Sequence, residues 1–300
     1  MPGTSSRTRV VAITGGKGGV GKSTIAANLA VAFASRRAQV LVLDGDMGMA
    51  DLNLLFGVAP ARSIVDILEG ERAENVLVEV HGVHLLPACN ASSRLANLSH
   101  WERQSLLEAV DTLSDRFDTL IVDCAAGIGS NSVAFAAAAI DIIVVVTADP
   151  TSLADAYASV KVLSREHQVK RLYVLPNAVR TPQEADLVVE RLTKLTSRFL
   201  DVVLTPLPYV PFDPLLRSAG ASGIPLVRST PDSPACRALN QVAKRLDSDS
   251  FGENRSGSIH LFWRRALDGH REAAAPNVAS LPGGGSRGSL DDKDKGVDRS

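Results

Sequence analysis

Alternating short apolar runs and helical stretches predict an α/β fold, a single domain whose mostly parallel sheet is covered by helices on both faces. Apolar runs recur at Val10–Thr14, Val40–Leu43, Val83–Pro87, Thr119–Val122, Ile142–Thr147, Leu172–Leu175 and Val202–Leu204. Continuous Ile, Val and Leu without polar alternation suits strands buried on both faces. Between most of them, stretches such as Ser23–Ser35, Trp101–Phe117, Thr151–Glu166 and Pro182–Phe199 show helical apolar spacing, and turn or capping residues open several of them. Connections are short, so one core domain is expected over residues 1–246. After Leu246 the composition turns to Ser, Asp, Gly and Asn, predicting a polar linker at 247–258, an apolar island at 259–268 and a disordered tail at 269–300.

The chain of 300 residues is 45% hydrophobic, enough for a sizeable core. Its 32 basic and 33 acidic residues leave a formal net charge of -1, so no global field draws it to nucleic acid or to an acidic surface. Cys89, Cys124 and Cys236 are odd in number and unevenly spaced, which argues against a disulfide framework and reads as small buried apolar residues. Met1–Arg9 is too short and polar for a signal peptide, and no run approaches the ~18 apolar residues of a spanning helix. A cytoplasmic protein is the expectation.

Gly16-Lys17-Gly18-Gly19-Val20-Gly21-Lys22-Ser23 satisfies G-x-x-x-x-G-K-[ST], with a strand before it and a helix after it. Glycines let backbone N–H groups converge on phosphates, and the helix amino terminus adds positive potential. Lys22 is placed on the β and γ phosphates, the Ser23 hydroxyl on Mg²⁺, and Thr24 closes the loop. ATP and Mg²⁺ are therefore the expected ligands. A Gly-rich turn that binds nothing is the bland alternative; it has no use for two lysines among five glycines.

Lys17 makes the loop K-G-G-x-G-K-S, and here the chain resembles the MinD/ParA class of deviant Walker A ATPases. That resemblance implies ATP-dependent homodimerisation, with Lys17 reaching across to the partner's phosphates and stabilising transition-state charge. Val40–Leu43 ends in Asp44-Gly45-Asp46, two carboxylates at the carboxyl end of a strand, where such sheets bind ligands. The resemblance gives Asp46 the orientation of the attacking water and Asp44 a place in the magnesium shell; spacing alone shows only that both can face the crevice. Asp123, after Thr119–Val122, has the strand-then-Asp form of a Walker B metal carboxylate. Asp123–Gly127 then resembles the second switch. Asn177, Pro211 and Asp213 fall at further strand ends and match the class's adenine-side loops, although Asn is equally an ordinary turn residue.

Asp149–Tyr157, Asp123–Gly129 and Phe199–Val202 further resemble the FlhG/FleN subgroup, which regulates the number and placement of polar flagella. Some of its members are antiactivators of a flagellar transcription regulator. A flagellar regulatory partner, either that regulator or an FlhF-type GTPase, is what this implies. Two departures stand out: Asp51 and Asn53 exchange the subgroup's usual Asn and Asp, and the short amino terminus lacks the segment with which some members stimulate FlhF.

Ile259, Phe262, Trp263, Ala266 and Leu267 fall on one helical stripe beside Arg264 and Arg265. Aromatics next to arginines suit a helix lying in the headgroup region of an anionic inner membrane, bound reversibly and strengthened when a dimer presents two copies. The competing reading is a helix docked on the protein's own core, or a disordered tail. A ParA-type partitioning ATPase that binds DNA is the alternative function, but the strongest local basic pair sits among aromatics, so no direct nucleic-acid contact is expected. An iron-protein-like ATPase would need paired cysteines that Cys89 and Cys124 do not supply.

Overall fold

The computed structural model describes residues 8–46, 51–88, 94, 99–248 and 258–274. Cys89, most of the linker at 249–257 and the tail at 275–300 lie outside the described residues, as does the amino-terminal segment 1–7. In chain order the elements are β1 (Arg9–Thr14), α1 (Lys22–Ala34), β2 (Val40–Gly45), α2 (Asp51–Leu55), α3 (Ile64–Leu68), α4 (Ala73–Val76), β3 (Val78–Val80) and β4 (Val83–Leu86). Then come α5 (His100–Asp111), β5 (Thr119–Cys124), α6 (Ser130–Ala138), β6 (Asp141–Val146), α7 (Pro150–Glu166), β7 (Arg171–Val179) and α8 (Pro182–Ser197). The chain continues with β8 (Val203–Pro206), β9 (Val210–Pro211), α9 (Pro214–Ser222), α10 (Leu226–Ser229), α11 (Pro234–Ser248) and α12 (Ile259–Ala274).

The strands form one sheet in the order β3-β4-β2-β5-β1-β6-β7-β8, with β9 pairing alongside the carboxyl end of β7. All pairs are parallel except β3 with β4. β1 lies at the centre, and the chain leaves it first toward β2 on one side and later crosses to β6 on the other, so the topological switch point falls at its carboxyl end. Pleating sends alternate residues to opposite faces: Val10 and Ala12 join the core under α5–α8 and α12, Val11 and Ile13 that under α1 and α11.

Several helix starts follow from local chemistry. Asp149, Thr181 and Asp213 each accept a backbone N–H of the first turn and are followed by proline at the first helical position, which pre-sets its backbone angle. Ser99 and Glu102 form a reciprocal capping box on α5.

The expected helix Trp101–Phe117 stops at Asp111. Three-residue turns continue the chain, with Ser114 N–H donating to Asp111 and Arg116 N–H to Leu113, while Leu113 and Phe117 stay buried. Strand β3 was not evident in the sequence. It is three residues long and closes onto β4 through His81 and Gly82, both at positive φ (49° and 83°), as a two-residue hairpin turn requires.

The carboxyl-terminal stripe is covered. Ile259, Phe262, Trp263, Ala266 and Leu267 are each at most 1% exposed and pack on α5 and α6, while Arg264, Arg265 and Asp268 face outward. Phe135 of α6 stacks on Phe262 at 5.8 Å and meets Trp263 edge-on at 5.7 Å. Ser258 caps the helix through Leu261 N–H at 3.0 Å, and the Arg103 guanidinium donates to the Leu267 carbonyl midway along it. In this conformation the docked arrangement holds, and the helix runs to Ala274, so residues 269–274 are helical where a disordered tail was expected. Among the described residues no helix is long and apolar enough to cross a membrane.

Candidate functional site

The loop between β1 and α1 leaves the centre of the sheet at the switch point. Gly21 sits at the amino end of α1 with φ 95°, a left-handed conformation that costs a residue with a Cβ, and it offers no side-chain cap. The first-turn N–H groups of a 13-residue helix are thereby left to an anion. Lys22 is only 7% exposed, and its Nζ donates to the Lys17 carbonyl at 3.2 Å, so the ammonium is held inside the loop. Ser23 and Thr24 follow, half-buried, in the first turn, while Val20 is buried and Gly18 and Gly19 are exposed.

Other elements fix the loop from behind. Gly16 lies against α7, where a Cβ would fall 2.0 Å from the Asp155 backbone. Gly127 N–H, in the segment after β5, donates to the Gly15 carbonyl at 3.3 Å. Asn177 Nδ2 donates to the Val20 carbonyl at 2.8 Å, and its Oδ1 is buried with no hydrogen-bond partner. Asn177 therefore touches the phosphate loop itself and keeps one acceptor available. Pro211 and Asp213 stand together at the end of β9, but Asp213 is occupied as a cap, accepting Leu215 N–H at 3.0 Å and Ala235 N–H at 3.4 Å.

Two carboxylates meet beside the loop. Parallel pairing of β2 with β5 puts Asp44 opposite Asp123, and each is 1% exposed. Burial, then the neighbouring Asp123 charge, pushes Asp44 up to about 8. Its Oδ1 accepts Asp46 N–H at 3.1 Å, whereas Oδ2 is buried without a hydrogen-bond partner. Paired buried carboxylates with an unused oxygen fit a hard divalent cation, which takes oxygen ligands and offsets their mutual repulsion. Among the described residues no group of three or more His, Cys, Asp or Glu gathers into an all-protein metal cage. A cation here would draw on the Ser23 hydroxyl and bound phosphates as well. Cys124, next to Asp123, is buried, and desolvation pushes its thiol far up, so it is a packing residue.

Lys17 is the lysine that faces out. Its Nζ donates to the Thr151 hydroxyl and lies 3.5 Å from Asp149 Oδ2, both at the start of α7. Hydrogen bonds from Thr151, and then the Lys17 charge, hold the Asp149 carboxyl below its usual value. The helix beginning at Thr151 was expected from the sequence, but the contact of Asp149 with Lys17, 132 residues away, was not. Asp46 is half-buried at the mouth of the site, and of the exchanged pair Asn53 is 9% exposed on α2.

Comparison with known proteins agrees with this geometry. Residues 6–247 match the ParA family, described as NUBPL iron-transfer P-loop NTPase. The chain is 38% identical over 261 residues to the antiactivator FleN of Pseudomonas aeruginosa, covering 86% of this chain and 93% of FleN. It is 35% identical over 190 residues to the flagellum site-determining protein YlxH of Helicobacter pylori, covering 63% of this chain and 64% of that one. Among solved structures, the septum site-determining protein MinD of Pyrococcus horikoshii, complexed with Mg-ADP, superposes with a TM-score of 0.62 at 26% identity, over 80% of this chain and 96% of that one.

Proposed function

The chain belongs to the ParA family of P-loop NTPases, and from that premise we propose that it is a Mg²⁺-dependent ATPase that dimerises on ATP and regulates flagellar number or placement. The observation that carries the reading is the division of labour between two lysines of one loop. Lys22 is buried among the loop's backbone groups, whereas Lys17 rests on the surface against Asp149 and Thr151. A charge parked outside its own phosphate cradle supports a role for Lys17 toward a second subunit.

The loop N–H groups and Lys22 bind the phosphates and hold them in line. Asp44, Asp123 and Ser23 would hold Mg²⁺, which neutralises charge on the terminal phosphates when bound. Asp46 accepts a hydrogen bond from the attacking water and orients it, and Lys17 of the partner subunit stabilises the charge that develops. Asn177 Oδ1 is the acceptor available to an exocyclic amino group of the base. Apolar side chains in the segments that follow strand carboxyl ends, Leu54, Ile128 and Phe212, are 70%, 54% and 60% exposed, as an uncovered dimer face demands.

In the second half of the reading, nucleotide state controls α12. Its docking groove is built on α6, whose first turns are tied to the loop after β5 by Ser132 Oγ, which donates to the Ala125 carbonyl at 2.6 Å. Rearrangement of that loop around ATP moves α6 and frees α12, presenting Phe262 and Trp263 with Arg264 and Arg265 to an anionic membrane. The partner is a flagellar regulator, a transcription factor or an FlhF-type GTPase.

The function is tested by deleting the gene, counting flagella per cell and complementing with the wild type or Lys17→Ala. Restoration by the wild type alone supports the reading; unchanged counts in the deletion strain sink it. Liposome flotation with ATP and with ADP tests the membrane step, and DNA retardation under the same conditions tests the partitioning alternative.

A further inference from the structure

Helices α2 and α9 end on one another. Gly57 follows α2 and Gly223 follows α9, at φ 66° and 68°, each in the left-handed conformation that ends a helix. Their backbones touch so closely that a Cβ on Gly223 would fall 2.6 Å from Gly57 Cα, and one on Gly57 would fall 2.8 Å from the Gly223 carbonyl oxygen. Backbone cannot swing aside as a side-chain tip can, so both positions require glycine twice over, for conformation and for space. The β3–β4 hairpin braces the contact: His81 Nε2 lies 3.4 Å from the Gly223 carbonyl oxygen, and its ring packs near Phe56 at 6.3 Å.

The other ends of the two helices belong to different parts of the proposed nucleotide site. Helix α9 starts at Asp213, in the base-side loop, and that residue also caps the start of α11. Helix α2 starts at Asp51, five residues after Asp46 and on the same connection that leaves the carboxyl end of β2, where Asp44 stands. Two short helices joined tip to tip thus link the base-side loop to the segment that follows Asp44 and Asp46.

We infer that Gly57 and Gly223 are positioning residues for hydrolysis, transmitting the seating of the base through α9 and α2 to Asp44. The inference rests on the nucleotide site proposed above and adds to it that the base, although remote from the bond that breaks, sets the rate of breaking it. Remote binding contributes to turnover in this way when it orients groups at the reacting centre, and an error of about 1 Å there costs on the order of 100-fold.

The test compares ATP with inorganic triphosphate, which occupies the phosphate end alone, each at saturation with Mg²⁺ and the full-length protein. Wild-type turnover is expected to be at least about tenfold higher with ATP than with inorganic triphosphate. Gly223→Ala and Gly57→Ala should bring ATP turnover to within about twofold of the inorganic triphosphate value, with little change in the KM for ATP. Gly223→Asn accepts the positive φ but still carries a Cβ, so it should fail as Ala does; a wild-type ratio in this variant overturns the contact.

Gly220→Ala is the control on the same helix, because its Cβ meets only the flexible tip of Leu55, at 3.1 Å. It should keep the wild-type ratio, and a collapsed ratio there overturns the assignment to the glycine pair. If the glycine variants unfold in a melting experiment, His81→Asn replaces them. It tolerates the turn, removes the brace, and should lower the ATP-to-triphosphate ratio in the same direction by a smaller factor. An unchanged ratio in His81→Asn overturns the inference. Equal wild-type turnover of both compounds sinks this inference while leaving the ATPase reading standing; turnover of neither sinks both.

Discussion

The phosphate loop at Gly15–Thr24 and helix α12 each concentrate their chemistry in about ten contiguous residues, yet they depend on the rest of the molecule in opposite ways. In the loop, the anion-binding groups are main-chain N–H groups of the loop and of the helix it opens, and Lys22 is held by a carbonyl five residues earlier. Its capability is local. Helix α12 carries an apolar stripe that commits to no partner, since the same stripe suits a membrane or a protein groove. Here Phe135 of α6 and Arg103 of α5 supply the groove and cover it. A motif that contains its own partners keeps its meaning in any setting, whereas a face acquires one only from what lies against it.

The comparison breaks first at Lys17, the loop residue whose charged side chain is held by a distant element. Lys17→Ala should lower ATP turnover by about 10³-fold, the scale of a lost charge supplied in trans, while leaving nucleotide binding within a few-fold of wild type. Turnover by mixed Lys17→Ala and Asp46→Ala subunits, measured against either alone, checks the trans assignment: the mixture should recover activity, because one of its two composite sites is intact. No recovery would place Lys17 in its own subunit's site.

A smaller effect is expected at the helix. Trp263→Ala empties a buried site and should cost about 3–5 kcal/mol of α12 docking, seen as faster tryptic cleavage at Arg264 and Arg265 with ATP binding unchanged. Fluorescence separates the two tryptophans of the chain, since Trp101 is 76% exposed and Trp263 is 1% exposed. Cleavage as slow as in the wild type would mean that α12 is held by something other than its aromatic pair.

The last effect is electrostatic and belongs to the loop's neighbours. Asp44 has a folded value raised to about 8 from 3.8, so between those values the folded, ligand-free protein binds more protons than the unfolded chain. Stability should therefore fall as pH rises from about 4 to about 8 and level off above that. Mg²⁺ with nucleotide should release a proton near pH 7, read by calorimetry in buffers of different ionisation enthalpy. Asp44→Asn should abolish that release; if it persists, another group is its source.

Much of the architecture was legible because burial on both faces writes strands as unbroken Ile, Val and Leu runs, and the seven expected strands all formed within a few residues of their anticipated ends. What escaped notice was short or long-range. Strand β3 carries too few residues to show a period, and the end of α5 is set by turns that keep Leu113 and Phe117 in the core. Lys22, Ser23, Asp44 and Asp123 were legible as neighbours around one candidate site because each sits at a strand end or a helix start. The tie from Asn177 to Val20 was not, since it joins residues 157 apart.

By itself, then, the sequence determined the phosphate loop, the parallel sheet beneath it and the apolar stripe of α12, because hydrogen-bonding capacity and side-chain period are properties of adjacent residues. Tertiary structure alone decided that the stripe lies on α5 and α6, that Lys17 rests on Asp149 and Thr151, and that Gly57 meets Gly223. Those are contacts between surfaces brought together by the sheet, and no local pattern encodes which surface a side chain will find.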